Sequence, residues 1–174
     1  MTDRTNFAAR AAAILITMAT AFAAYAQGGG NPALVAQHGD WGVYVNKGGA
    51  KVCFALSQPK ERLPATLNRD PGYIFISTRP GDNVRNEFSV IVGFPMKEDA
   101  DPSIQVGSDT FALYARQNGA WIRNVAEENR LIDAMRKGRD LTMKSTSGRG
   151  NVTTDRYSLS GIVQALDRVA QECK

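Results

Sequence analysis

TSGRGNVTTDRYSLSG, Thr146 to Gly161, can be read either as chemistry or as architecture. It sets an arginine between two glycines, then a row of hydroxyls, an aspartate and a tyrosine. Glycine at Gly148 and Gly150 supplies the positive φ that a tight hairpin connection needs. Thr153, Thr154, Tyr157 and Ser158 alternate as strand residues do. Ser160 is placed to N-cap a following helix, although no Glu or Gln stands three residues on to complete a capping box. The stretch therefore predicts strand, turn, strand and helix start, with Arg149 exposed at the tip.

The same alternation runs outward in both directions. Trp41, Val43 and Val45 share one face of WGVYV, and Val52, Phe54 and Leu56 one face of KVCFALS. YIFIST is apolar on both faces. EFSVIVGF aligns Phe88, Val90, Val92 and Phe94, and SIQVGS, TFALYAR and DLTMKST follow. Between them stand the turn signals NKGG, DPG, RPGDN, GSD and QNG. Seven or eight short strands spaced in this way predict a mainly β, antiparallel sandwich.

Two segments change period. In Asn124 to Gly138, Asn124 is a candidate N-cap with Glu127 three residues on, and Leu131, Ala134 and Met135 form an apolar side. Glu127 and Glu128 in the first turn, Arg136 and Lys137 in the last and Gly138 after it suit the helix dipole and a C-terminal stop. The second helix covers GIVQALDRVAQECK. Ile162, Ala165, Leu166, Val169, Ala170 and Cys173 recur at steps of three and four, which predicts a helix packed on a sheet.

At the start, Arg4 and Arg10 precede an uncharged apolar run from Ala11 to Ala24, and AYA at Ala24 to Ala26 offers small residues to a signal peptidase. This predicts a signal peptide over 1–26, cut between Ala26 and Gln27. The run is shorter than the roughly 18 apolar residues of a membrane span. Residues 27–39, with GGGNPA, read as a flexible lead-in, and 40–174 as a single domain. Export with two cysteines predicts a Cys53–Cys173 disulfide; two separate buried thiols are the alternative. If the bridge forms, the terminal helix must lie over the face of the strand that carries Cys53.

The chain carries a net charge of +4. Basic residues gather late, at Arg136, Lys137, Arg139, Lys144, Arg149 and Arg156, against Asp140 and Asp155. The first five are candidate binding residues for an anionic envelope component or a host-surface molecule, and an ordinary solvated face is the competing reading. The long segment PKERLPATLNRDPG is a second candidate binding loop. No nucleic-acid-binding motif is present.

Catalytic patterns are sparse. His38 is the one histidine, and no G-x-S-x-G elbow accompanies it. Two cysteines and a histidine, none at metal-ligand spacing, do not form the pattern of a zinc site. SQPK, Ser57 to Lys60, matches S-x-x-K, but Pro59 and the preceding strand place it at a strand exit rather than at a helix start, and neither S-D-N nor K-T-G follows. No phosphate-binding glycine motif occurs. The reading is of a protein that is not an enzyme and carries no cofactor, with a cell-wall hydrolase or esterase and a periplasmic chaperone as the competing functions.

Taken together, WGVYV with KVCFALSQPK, RDPGYIFISTRPGDNVRNEFSVIVGFP, and the stretch from FALYARQNGAW to VAQEC resemble the invasion-associated locus B family of exported bacterial proteins. The resemblance covers nearly all of the chain from Trp41 onward. It implies an immunoglobulin-like β-sandwich with the two helices added, and an association with host-cell entry. It carries no catalytic residues onto this sequence. Some members have a further cysteine in the first strand after the tryptophan; WGVYVN has none. The combined expectation is an exported binding or structural module of the periplasm or cell surface, with no transmembrane segment in its mature form.

Overall fold

The computed structural model describes residues 31–174; the expected leader, 1–26, lies outside them. Eleven strands and two helices follow one another: β1 (Ala33–His38), β2 (Trp41–Asn46), β3 (Val52–Ser57), β4 (Glu61–Leu63), β5 (Tyr73–Arg79), β6 (Val84–Ile91), β7 (Ser103–Val106), β8 (Asp109–Arg116), β9 (Gly119–Ile122), α1 (Glu128–Lys137), β10 (Asp140–Thr146), β11 (Val152–Ser158) and α2 (Ile162–Glu172). All strand pairs are antiparallel, in the order β1-β2-β3-β5-β6-β9-β8-β7-β10-β11-β4.

That order makes two layers because β8 belongs to both. Its second half, Leu113–Arg116, pairs with β9, and its first half, Asp109–Ala112, with β7. Only Gln58, Pro59 and Lys60 separate β3, in the first layer, from β4, at the far edge of the second. At about 3.5 Å of reach per residue, so short a crossover requires the far edge to fold back against the first layer. The Trp41 indole donates to the Ser158 carbonyl at 3.0 Å, tying β2 to β11. The result is the mainly β, sandwich-like architecture with two helices that the alternation predicts.

The core collects the inward residues of both layers. Val43, Ala55, Ile76, Phe88 and Val90 come from the first; Ile104, Phe111, Leu141, Met143 and Tyr157 come from the second, all fully or almost fully buried. Helix α2 lies on β1, β2, β3 and β5. It buries Ile162, Ala165, Leu166 and Val169, while Ala170, assigned to the stripe from sequence, faces solvent. The Cys53–Cys173 disulfide is formed, with Cα atoms 5.9 Å apart and both residues fully buried. Closing 120 residues of chain contributes up to about 5 kcal/mol in the loop-entropy model.

Several local readings change. Residues 33–38, within the expected flexible lead-in, form β1, because their backbone pairs with β2. Asn124 caps a 3₁₀ turn, accepting from the Ala126 N–H, and α1 starts only at Glu128. Glu127 accepts from Arg130 instead of closing a capping box. Ile132, with Leu131 and Met135, is buried on α1. Gly138 is extended rather than left-handed; a Cβ there would meet Val106 and Leu159. Gly161, not Ser160, occupies the N-cap of α2, at φ 91°, and a side chain would run into the His38 carbonyl.

Candidate functional site

The strands of the first layer bury one face and leave the other uncovered by either helix. On that outer face Tyr44 of β2 stands opposite Phe54 of β3, their rings stacked at 5.3 Å. Phe54 meets Phe75 of β5 at 5.7 Å, and Phe75 meets Tyr73 at 6.1 Å. All four are half-buried, so the rings pack sideways on one another and remain open above. Gly42 lets the first ring lie down: a Cβ there would sit 2.8 Å from Tyr44 Cε2.

These rings floor a groove of about 770 Å³, a size within the roughly 300–1,000 Å³ of ligand clefts. Its rim is polar, with Gln37, Asp40, Gln58 and Lys60. Lys60 Nζ lies 2.5 Å from the Asp40 carboxylate. Hydrogen bonding to Lys60, and then to Ser158, holds the Asp40 carboxyl below the usual aspartate range. The Ser57 hydroxyl donates to the Asp40 carbonyl at 2.8 Å, and the Asp40 N–H donates to the Ser160 carbonyl at 3.0 Å. The rim is therefore fixed at three points. Ser57 and Lys60 both turn to Asp40, and no hydrogen bond joins them to each other among the described residues, so the S-x-x-K spacing does not make a serine–lysine pair here.

A second groove, of about 990 Å³, lies between the β6–β7 connection and the β10–β11 hairpin, with Arg69, Phe94, Asn118 and Arg149 in its walls. Beside it Asp155 is buried between two arginines. Arg69 Nη1 donates to it at 2.8 Å and Arg62 Nε lies at 3.5 Å. Arg62 also donates to the carbonyls of Asp70 and Val92, each at 2.8 Å. The segment from Pro59 to Gly72, a candidate binding loop from sequence, is thus pinned: it contains β4 and sends two arginines inward. The adjacent Tyr157 hydroxyl is buried and has no hydrogen-bond partner among the described residues. Burial, aggravated by the Asp155 charge, pushes its pKa far above the ordinary tyrosine value.

The five candidate basic residues do not converge. Arg136 pairs with Asp167 of α2 at 3.0 Å. Lys137 is exposed at the end of α1 and Arg139 between α1 and β10, Lys144 points outward from the middle of β10, and Arg149 is exposed at the hairpin tip. Arg139 and Arg149 flank opposite ends of β10. The hairpin forms as read, with Thr146 paired to Val152, but only Gly150 takes a positive φ, 83°; Gly148 does not, and its N–H instead donates to the Pro95 carbonyl. His38 is half-buried beside the start of α2. Among the described residues no group of three His, Cys, Asp or Glu side chains is placed to hold a metal, and no helix is long and apolar enough to cross a membrane.

The sequence reading missed the aromatic groove. Its one signal was YIFIST, apolar on both faces where a half-buried strand needs only one.

A protein-family model described as Invasion associated locus B (IalB) protein matches residues 46–170. That span includes Phe54, Tyr73, Phe75 and Lys60 of the groove, and the buried Arg62–Asp155–Arg69 cluster. No curated protein and no solved structure matches the chain.

Proposed function

The chain belongs to the invasion associated locus B (IalB) family, and from that premise we propose that it is an exported, non-enzymatic binding module of the bacterial envelope, acting in the periplasm or at the cell surface. The observation that carries this reading is the open, aromatic-floored groove on a face whose strands are fully paired. A rigid sheet holds the rings, and the rim is fixed by the hydrogen bonds of Asp40. Such a site is preformed and loses little freedom on binding. The buried disulfide supports the compartment, because bridges of this kind persist outside the reducing cytosol. The dispersed basic residues add weak, salt-sensitive attraction to anionic surfaces.

Capture on isolated bacterial envelopes tests the proposal. The purified mature chain is expected to sediment with envelopes at low salt, to lose a few-fold in binding at about 0.5 M salt, and to keep a salt-resistant remainder through the groove. Charge reversal at Arg139 and Lys144 is expected to remove only the salt-sensitive part. No sedimentation at either salt concentration, or turnover of wall material by the purified chain, would overturn it.

A further inference from the structure

We infer that the groove floored by Tyr44, Phe54, Phe75 and Tyr73 binds an extended, uncharged glycan strand, a chain of β-linked pyranose units. This rests on the reading of the chain as a binding module and names what the module holds.

A pyranose ring has an apolar C–H face and hydroxyls around its edge. It therefore needs a floor of aromatic surface and a rim of hydrogen-bonding groups at one site. The groove supplies both: four rings below, and amides at Gln37 and Gln58 with the Asp40–Lys60 pair above. Tyr44, Phe54 and Phe75 step across β2, β3 and β5 at 5.3 and 5.7 Å, and Tyr73 widens the patch along β5, 6.1 Å from Phe75. The first two rings are nearly parallel and Phe75 is tilted 56° and 46° to its neighbours, so a sugar meets both ring faces and ring edges. Gly42 leaves room for Tyr44, Gln37 and Leu34 to close over its backbone, and Leu56, paired with Gly42 on one side and Phe75 on the other, adds an aliphatic surface to the floor.

Other ligand classes fit less well. A peptide strand is held by main-chain hydrogen bonds at a sheet edge, but β2 and β3 each have partners on both sides, and so does β5. An acyl chain prefers an enclosed apolar site, and here an ion pair stands at the mouth. A nucleic-acid strand would stack on the rings but needs free cations for its phosphates; Lys60 is already neutralised by Asp40.

Two sources share this chemistry: the bacterium's own wall glycan and the glycans of a host surface. The test uses the full mature chain, isotope-labelled, titrated in separate arms with the β-1,4 tetramer of N-acetylglucosamine and with an N-acetyllactosamine tetramer, followed by amide chemical shifts and calorimetry. Saturable shifts at the amides of Gly42, Leu56 and Ser57 are expected, and the stronger arm names the source. Tyr44→Ala and Phe75→Ala should each weaken binding about tenfold. Tyr44→Phe should keep most of the affinity, and Trp121→Ala, on the same outer face but outside the groove, should keep all of it. These side chains are half-exposed, and each variant's melting curve separates lost binding from lost folding. No saturable shift in either arm at roughly millimolar saccharide overturns the inference, and so does unchanged affinity in the Tyr44→Ala/Phe75→Ala double variant. If saccharides fail while envelopes still capture the chain, the ligand class is wrong and the binding-module reading stands. If both fail, both fall.

Discussion

Lys60, at the end of the crossover between the layers, and Arg62, two residues on in β4, form ion pairs with opposite surroundings. Lys60 is 58% exposed and its partner Asp40 is 28% exposed. Asp155, the partner of Arg62 and Arg69, is 2% exposed, and Arg69 is 5% exposed. The first pair sits in high dielectric and contributes little to folding; it is free to serve a ligand. The second is shielded from water, so removing one member leaves charge stranded. A single turn of chain thus fastens the fold on one side and shapes a binding rim on the other.

The largest expected effect comes from the buried side. Asp155→Ala should destabilise the protein by about 3–5 kcal/mol in urea unfolding, because Arg62 and Arg69 lose the carboxylate they share. A loss under about 1 kcal/mol would mean that the cluster behaves as surface and that the contrast is false. Next comes Tyr157→Phe, beside the same cluster. Its hydroxyl has no partner among the described residues, so its removal should be neutral or stabilising by about 1 kcal/mol; a clear loss of stability would reveal an acceptor for that hydroxyl. The smallest effect belongs to the exposed pair. Lys60→Ala should cost about 0.2–1 kcal/mol, less at high salt. The Asp40 carboxyl lies below its ordinary range, so its small contribution is present above the unfolded aspartate pKa and is lost as pH falls through the folded value. In Lys60→Ala that acid-side slope should flatten.

The sequence carries the fold further than it carries the site. Eight strands and both helices follow from periodicity, because burial imposes it residue by residue. The other three strands have weak periodicity or none. β4 is three residues of mostly exposed chain, β9 starts on a glycine after a turn, and β1 carries little that must be buried. Each exists because a neighbour offers a free ladder edge, which is information held elsewhere in the chain. Alternation places Tyr44 with Gly42 and Phe75 with Tyr73, but it does not tell whether a second layer covers that face. Nor does it show that Arg69 will meet Asp155, 86 residues away. The cysteine pairing was legible for a simpler reason: with two thiols only one bridge can form, and the apolar stripe of α2 aims Cys173 at the inner face of β3.

Strand β8 has a consequence of its own. With half its length in each layer, it gives neither layer a boundary at which to detach. Peeling the first layer strips the second of a strand, and the crossover at Gln58–Lys60 transmits the damage back. Melting is therefore expected to be a single cooperative event, in which the groove is lost together with the rest of the molecule and fluorescence and circular dichroism transitions coincide.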